Sequence, residues 1–298
     1  MPTKSFAFAN QKGGVGKTTT VVSLAACLAD AGKRVLVIDF DPQANATSGL
    51  GQEKLEGHSV YDALLHGQPL AALIRQTEFP NLDLIPSEED LAAAEVDVPR
   101  AERFLERFKM AVKPIKAAGT YDFIFVDCPP ALGILTMNAL VGADRICIAL
   151  QCEYYALEGL TVILRVVEHL RSSGANPALD VDGIVMTMFD GRTNLAHQVV
   201  EEVRKHFADK VFKTVIPRTV RLSEAPSFGK PIIHYDRHSA GATAYIALAK
   251  EFLKRQQAEE KAAAAAVVAV APITAVPPVA ESPPAAASVV PPPNPPAG

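Results

Sequence analysis

The chain contains no tryptophan, and its 298 residues include only 13 phenylalanines and 6 tyrosines. Aromatic platforms that stack successive bases are therefore not its obvious theme. Cysteine is scarce too. Cys27, Cys128, Cys147 and Cys152 form no C-x-x-C pair and join no histidine in a zinc-like spacing, so they read as buried, reduced thiols of a cytosolic protein. Excess positive charge is also missing. The net charge of −4 argues against a globally basic nucleic-acid binder but leaves room for a local basic face. No charged segment leads into an apolar stretch at the start, so no export signal is expected. The folded part has no apolar run near the roughly 18 uncharged residues of a membrane span.

What is present is the balance of a globular protein with a full core: 49% apolar and 21% charged residues. The length suits one large α/β domain or two small ones. Composition breaks near Lys261. Beyond it lie ten of the 23 prolines, and Glu281 is the only charge. Residues 261–298 are expected to be a low-complexity, Ala/Pro-rich disordered tail, its first alanines prolonging the preceding helix by a turn or two. A membrane-surface helix would need a basic polar face and bulky apolar anchors, and the tail has neither.

Residues 1–260 alternate. Strand-like runs are SFAFAN, RVLVIDF, LDLIP, YDFIFVD, RICIAL, VDGIVMTM and KVFKTVI. Between them lie helical patterns: KTTTVVSLAACLADAG, SEEDLAAAEVD with Ser87 as its cap, ERFLERFKMAVKPI, LEGLTVILRVVEHLRSSG and NLAHQVVEEVRKHFAD. Short, continuously apolar strands separated by helices predict one α/β domain. It is a doubly wound, mostly parallel sheet with helices on both faces. Ligands of such sheets bind at the carboxyl ends of the strands.

The conspicuous residues fall at those ends. NQKGGVGKTTT, residues 10–20, follows the first strand. It matches the phosphate-binding loop G-x-x-x-x-G-K-[ST] except at its first glycine, where Gln11 stands, with an additional lysine at Lys12. Gly13, Gly14 and Gly16 let successive N–H groups turn inward on an anion. The following helix adds its positive end. Lys17 would neutralise β/γ-phosphate charge, and the Thr18 hydroxyl would meet Mg²⁺. In VLVIDFDPQ, strand alternation puts Asp39 and Asp41 on one side, facing the pocket, one for a metal shell and one for a water; an Asp-Pro turn is the plainer reading. In FIFVDCPP, Asp127 has the setting of a carboxylate that holds Mg²⁺ through a water. TVIPRTVRLSEAPSFGKP supplies another loop on the ligand edge, with Arg218 and Arg221 placed to cover a base. His234 and His238 lie four apart in a proline-flanked loop and are not expected to bind metal. Ser223 and Ser227 lack the surroundings of a nucleophile elbow.

Five segments in order, QKGGVGKTTT, VLVIDFDPQANATSGLG, YDFIFVDCPPALGILTMNAL, TMFDGRTNLAHQVVEEVR and IPRTVRLSEAPSFGKPIIHYD, resemble the ParA/MinD group of deviant-Walker ATPases. They are most similar to its chromosomal, Soj-type partition proteins. The resemblance covers residues 4–255 and leaves the tail outside.

It implies a P-loop-like fold and a slow, Mg²⁺-dependent ATPase in which two protomers sandwich two ATP molecules. Lys12 matches the signature lysine that reaches the partner's phosphates, much as an arginine finger acts in trans. By the same resemblance, Gln11, Lys12, Gly13, Gly14, Val15, Gly16, Lys17, Thr18 and Thr19 form the nucleotide loop. Thr18 binds Mg²⁺, with Asp39 and Asp127 supporting its shell. Asp41 orients the attacking water, and Thr187, Pro217 and Arg218 lie at the adenine. Lys12, Lys17 and Asp41 are then the catalytic set.

The resemblance further implies that the ATP homodimer binds double-stranded DNA non-specifically. A ParB-type centromere-binding partner stimulates hydrolysis, and the protein is cytoplasmic and nucleoid-associated, without a membrane role. An alternative within the group is an ATPase that positions a protein cargo or the cell-division machinery. A charge count gives partial independent support for DNA. Residues 186–255 hold 12 Lys/Arg against 7 Asp/Glu, a basic face on an acidic chain suited to salt-sensitive phosphate contacts. Arg192, Arg221, Lys230, Lys254 and Arg255 are the candidate contacts.

Overall fold

The computed structural model describes residues 3–269. The strands are β1 (Lys4–Phe8), β2 (Val35–Asp39), β3 (Arg75–Gln76), β4 (Leu82–Ile85), β5 (Phe123–Asp127), β6 (Arg145–Gln151), β7 (Asp180–Phe189) and β8 (Val211–Pro217). They form one sheet in the order β3-β4-β2-β5-β1-β6-β7-β8. All neighbours are parallel except β3 and β4.

The α-helices between them are α1 (Lys17–Asp30), α2 (Asn45–Gly49), α3 (Tyr61–Leu65), α4 (Ala94–Asp97), α5 (Arg107–Ala118), α6 (Ile134–Gly142), α7 (Ala156–Ser172), α8 (Asn194–Phe207), α9 (Val220–Glu224), α10 (Ile232–Tyr235) and α11 (Ala240–Ala269). The chain divides into a body ending at Arg255 and a second unit from Gln256 onward. The described part of that unit is the end of α11. Of the tail expected over residues 261–298, the first part continues α11 as far as Ala269, and residues 270–298 lie outside the described residues.

Strand alternation builds two cores. Phe6, Phe8, Val35, Val37, Phe123 and Phe125 point to one face, under α1, α10 and α11. Ala7, Ala9, Leu36, Ile38, Ile124 and Val126 point to the other, under α5, α6, α7 and α8. Both faces are covered, which is why the strands read as unbroken apolar runs. The first core is aromatic: Phe6 meets Phe125 and Phe252 edge-on, with centroids 5.7 and 5.1 Å apart. A buried bond of 3.0 Å between Thr20 Oγ1 and the Tyr245 hydroxyl fixes α1 against α11.

Three expectations need correction. The run SEEDLAAAEVD is not one helix capped by Ser87. It is a 3₁₀ turn over Glu89–Ala93 followed by the single-turn α4. Ser87 is drawn into the core instead, its N–H donating to Thr47 Oγ1 at 2.9 Å. Pro99 sits in the next turn, Val98–Arg100, and proline ends a helix rather than prolonging it. The pattern ERFLERFKMAVKPI becomes helical only at Arg107, because the chain first turns through Arg103 at φ 52°. His234 lies in the short α10 rather than in a loop, its ring stacked on Phe79 at 4.5 Å.

Candidate nucleotide site

The carboxyl ends of β1, β2, β5, β6, β7 and β8 share one edge of the sheet. They bring together the loop after β1 and residues Asp39, Asp41, Asp127, Thr187 and Pro217. The loop after β1 is held from both sides. Asn10 is buried, its Nδ2 donating to Ala149 O at 2.7 Å while its Oδ1 accepts from Lys12 N at 3.0 Å. At the far end, Thr187 Oγ1 donates to Val15 O at 2.7 Å. Gly14 and Gly16 have φ of 71° and 85°, values that glycine adopts without cost. Gly16 then starts α1, whose fourteen residues leave their first N–H groups free of intrahelical partners at the mouth of the loop. That end carries positive potential and suits an anion.

The two lysines of the loop diverge. Lys17 is buried, 6% exposed, and its Nζ points back into the loop, 3.3 Å from Lys12 O. Burial lowers its ammonium pKa, opposed chiefly by the charge of Asp127. The Lys12 side chain is half-exposed and runs outward, its Nζ 2.6 Å from Glu153 Oε2.

The three carboxylates differ as well. Asp39 ends β2, and its oxygens are occupied. Oδ2 accepts from Thr47 N at 2.8 Å and Thr47 Oγ1 at 2.7 Å, and Oδ1 accepts from Asp41 N at 3.2 Å. Burial pushes Asp39 up to about 6 despite the Thr47 bonds. Asp41 lies beyond the strand, in the turn that sequence reading had weighed, with Oδ1 accepting from Gln43 N at 3.0 Å. Both oxygens of Asp127 are buried and lack a hydrogen-bond partner among the described residues. Burial, and then the charge of Asp39, raise its pKa well above the usual range, with Thr18 and Lys17 pulling the other way. An orphaned, desolvated carboxylate beside a threonine and a buried lysine fits a hard cation with oxygen ligands.

Thr187 stands beside the loop, but its hydroxyl is engaged in holding Val15. Pro217 ends β8, paired in register with Phe189, and Arg218 is exposed, its N–H donating to Phe189 O at 2.9 Å. Of the candidate DNA contacts, Lys230 and Lys254 are exposed. Arg192 pairs with Asp190 at 2.7 Å, and Arg221 pairs with Glu224 at 3.1 Å and Asp236 at 3.4 Å. Arg255 turns inward. Its guanidinium lies 4.0 Å over the Phe212 ring and donates to Val211 O at 2.6 Å.

Sequence reading missed Asn10, Thr47 and Glu153. Asn10 opens the loop itself but takes its anchor from Ala149 on β6, and Glu153 reaches Lys12 from beyond the end of β6; nothing in their local pattern marks those distant partners. All four cysteines are buried and free of disulfides. Among the described residues, no helix is long and apolar enough to cross a membrane.

A glycine loop leading into a helix, with a buried lysine and an unpartnered carboxylate on the neighbouring strand, defines a P-loop nucleotide-binding protein. Its second lysine sets it within the deviant-Walker class. A family model described as an AAA domain matches residues 3–181. The sporulation initiation inhibitor protein Soj of Bacillus subtilis is 55% identical over 250 residues, which span 83% of this chain and 97% of that protein. The chromosome partitioning protein ParA of Myxococcus xanthus is 52% identical over 248 residues, 83% of this chain and 86% of that one. Among solved structures, a cobyrinic acid a,c-diamide synthase from Mycobacterium smegmatis with bound ADP and magnesium is 34% identical. It has a TM-score of 0.73, over 86% of this chain and 96% of that chain. The chain belongs to the ParA/MinD family of deviant-Walker ATPases, in its ParA/Soj group of partitioning proteins.

Proposed function

We propose that this protein is a Mg²⁺-dependent ATPase for chromosome or plasmid partitioning that works as an ATP-induced sandwich dimer. The observation that carries the reading is the divergence of the two lysines. Lys17 is buried inside its own loop and serves the protomer's own phosphates. Lys12 is half-exposed and directed away from that loop, the disposition of a group that serves a second copy.

The loop N–H groups and the start of α1 bind the phosphates, with Gln11, Gly13, Gly14, Val15, Gly16 and Thr19 shaping the cradle. Thr18 and Asp127 hold Mg²⁺, which when bound neutralises the β- and γ-oxygens. Asp39 acts one step out: its bonds to Thr47 and to Asp41 N hold the loop that carries Asp41. Asp41 orients the attacking water. Thr187 sets the loop from behind, and Pro217 and Arg218 border the base. ATP and water give ADP and phosphate, slowly until a ParB-type partner completes the site.

The dimer binds double-stranded DNA without sequence preference through its basic segment, and so associates with the nucleoid of the cytoplasm. Two copies double the patch and multiply a weak phosphate affinity. The curated relatives named ParA and Soj support this reading.

The test is gel filtration of Asp41→Ala protein with ATP and Mg²⁺, with and without a DNA duplex. The expected result is a stable dimer that co-elutes with DNA. Normal hydrolysis by this variant would remove the water-orienting role. A monomer in every condition would remove the dimer.

A further inference from the structure

The Lys12–Glu153 pair lies within one protomer, although the proposed function sends Lys12 to another. The root of the Lys12 side chain is fixed, since its N–H is tied to Asn10 Oδ1 and Asn10 is tied to Ala149 O on β6. From that root the ammonium reaches Glu153 Oε2 at 2.6 Å, the separation of a charge-assisted bond. The other carboxylate oxygen, Oε1, accepts from Gln151 Nε2 at the end of β6. Glu153 is thus held in place from two directions before any partner arrives. Tyr154 and Tyr155 follow it, 76% and 67% exposed, with ring centroids 5.2 Å apart. Large exposed aromatics beside a charged pair mark this ledge as one that a protein surface covers.

We propose that Glu153 is a positioning residue that latches Lys12 in cis in the single protomer and must release it for the dimer to form. The inference rests on the reading of Lys12 as the lysine that acts in trans. An unlatched Lys12 would be available to its own protomer's phosphates and would add positive charge there without a partner. The latch instead neutralises that charge on the β6 ledge and keeps the isolated protomer incomplete. Dimerisation exchanges the Glu153 carboxylate for the partner's phosphates.

The size of the effect follows from exposure. Both side chains are near half-exposed, at 49% and 46%, and such pairs contribute about 0.2–1 kcal/mol each. A symmetric dimer breaks two. Removing the latch therefore tightens dimerisation by about 2- to 30-fold.

The experiment is sedimentation velocity of the full chain with Mg²⁺ and a non-hydrolysable ATP analogue, reading the protein concentration at half dimerisation. Glu153→Gln keeps the shape and one of the two acceptor oxygens but removes the charge. It is expected to lower that concentration by about 2- to 30-fold. The gap from wild type should narrow between about 50 and about 300 mM NaCl, because a solvent-exposed ion pair is screened. An unchanged or higher midpoint, or a gap indifferent to salt, overturns the latch. Lys12→Ala runs alongside as the control on the underlying reading. If it dimerises and hydrolyses ATP as wild type does, the trans role of Lys12 fails. If Lys12→Ala is defective while Glu153→Gln is silent, the latch alone fails.

Discussion

Asp39 and Asp127 stand side by side in register at the carboxyl ends of β2 and β5, both fully buried. Asp39 accepts three hydrogen bonds from Thr47 and Asp41, whereas Asp127 accepts none among the described residues. The same residue type on adjacent strands therefore does two jobs. Asp39 organises the loop that carries Asp41, and in the proposed function Asp127 is left to face a cation. Without that cation, burial raises the pKa of both carboxyls, and the charge of Asp39 raises that of Asp127 further.

The nucleotide-free protein therefore carries a local instability that Asp127→Asn removes. The variant's amide is still unpartnered but has no charge to desolvate, so it is expected to be more stable than wild type near neutral pH by about 1–3 kcal/mol and to lose Mg²⁺-dependent hydrolysis. Urea unfolding without nucleotide checks the first part, and phosphate release checks the second. A pH series checks the cause. Asp39 is raised from 3.8 to about 6. A group raised on folding lends stability below its unfolded pKa and loses it as pH climbs through the folded one. Wild-type stability should thus fall from about pH 4 to about pH 7, and less steeply in Asp127→Asn, which lacks the second carboxyl raised by burial.

Lys17 gives a second prediction. It is buried, and among the described residues the one hydrogen bond of its ammonium is the 3.3 Å contact with Lys12 O, so the fold asks little of its charge. Lys17→Ala should keep the circular dichroism of wild type. It should lose ATP affinity by more than about 30-fold, since truncating one member of a buried charged contact costs about 2–5 kcal/mol. Titration calorimetry with ATP and Mg²⁺ reads this directly.

How far the sequence discloses the molecule follows from the range of each signal. The parallel sheet was legible because strands covered on both faces are apolar without a break, as in the fully buried β2 and β5. The loop was legible because glycine and lysine spacing is local. β3 was not, having two residues and no pattern. Glu153 was not legible either. Its meaning comes from Lys12, 141 positions away in sequence, and only the pairing of β1 with β6 brings the two together. Ser87 misled because a serine before acidic residues is a sound capping signal, yet Thr47 drew its N–H into the core.

Glu251 supports a third prediction. Its carboxylate accepts from Lys213 N at 2.7 Å, Thr214 N at 2.9 Å and Thr214 Oγ1 at 2.9 Å. It thereby satisfies donors of β8, the last strand of the sheet. These hydrogen bonds, together with the Arg255 charge, hold its pKa below the usual value against burial. A group depressed on folding lends stability above its unfolded pKa and loses it as pH falls through the folded one. Glu251→Ala should therefore lower stability near neutral pH by about 1–3 kcal/mol. The difference from wild type should shrink below about pH 4, as acid unfolding curves of the two proteins would record.

The last prediction separates two neighbours that the sequence offered as equivalent DNA contacts. Lys254 is exposed on α11. Arg255 is turned inward, stacked on Phe212 and bonded to Val211 O and Glu251. Arg255→Ala removes a cation–π contact and hydrogen bonds from the edge of the sheet, so it should reduce stability by about 1–3 kcal/mol. The folded protein should keep its DNA affinity. Lys254→Ala should do the reverse, leaving stability within about 0.5 kcal/mol of wild type. It should weaken DNA binding alike for every sequence, and the slope of log K against log salt should drop by about one. Fluorescence anisotropy with two unrelated duplexes at several salt concentrations, beside urea unfolding, reads both variants. If Arg255→Ala loses DNA with its stability intact, the inward contacts are not what that arginine is for.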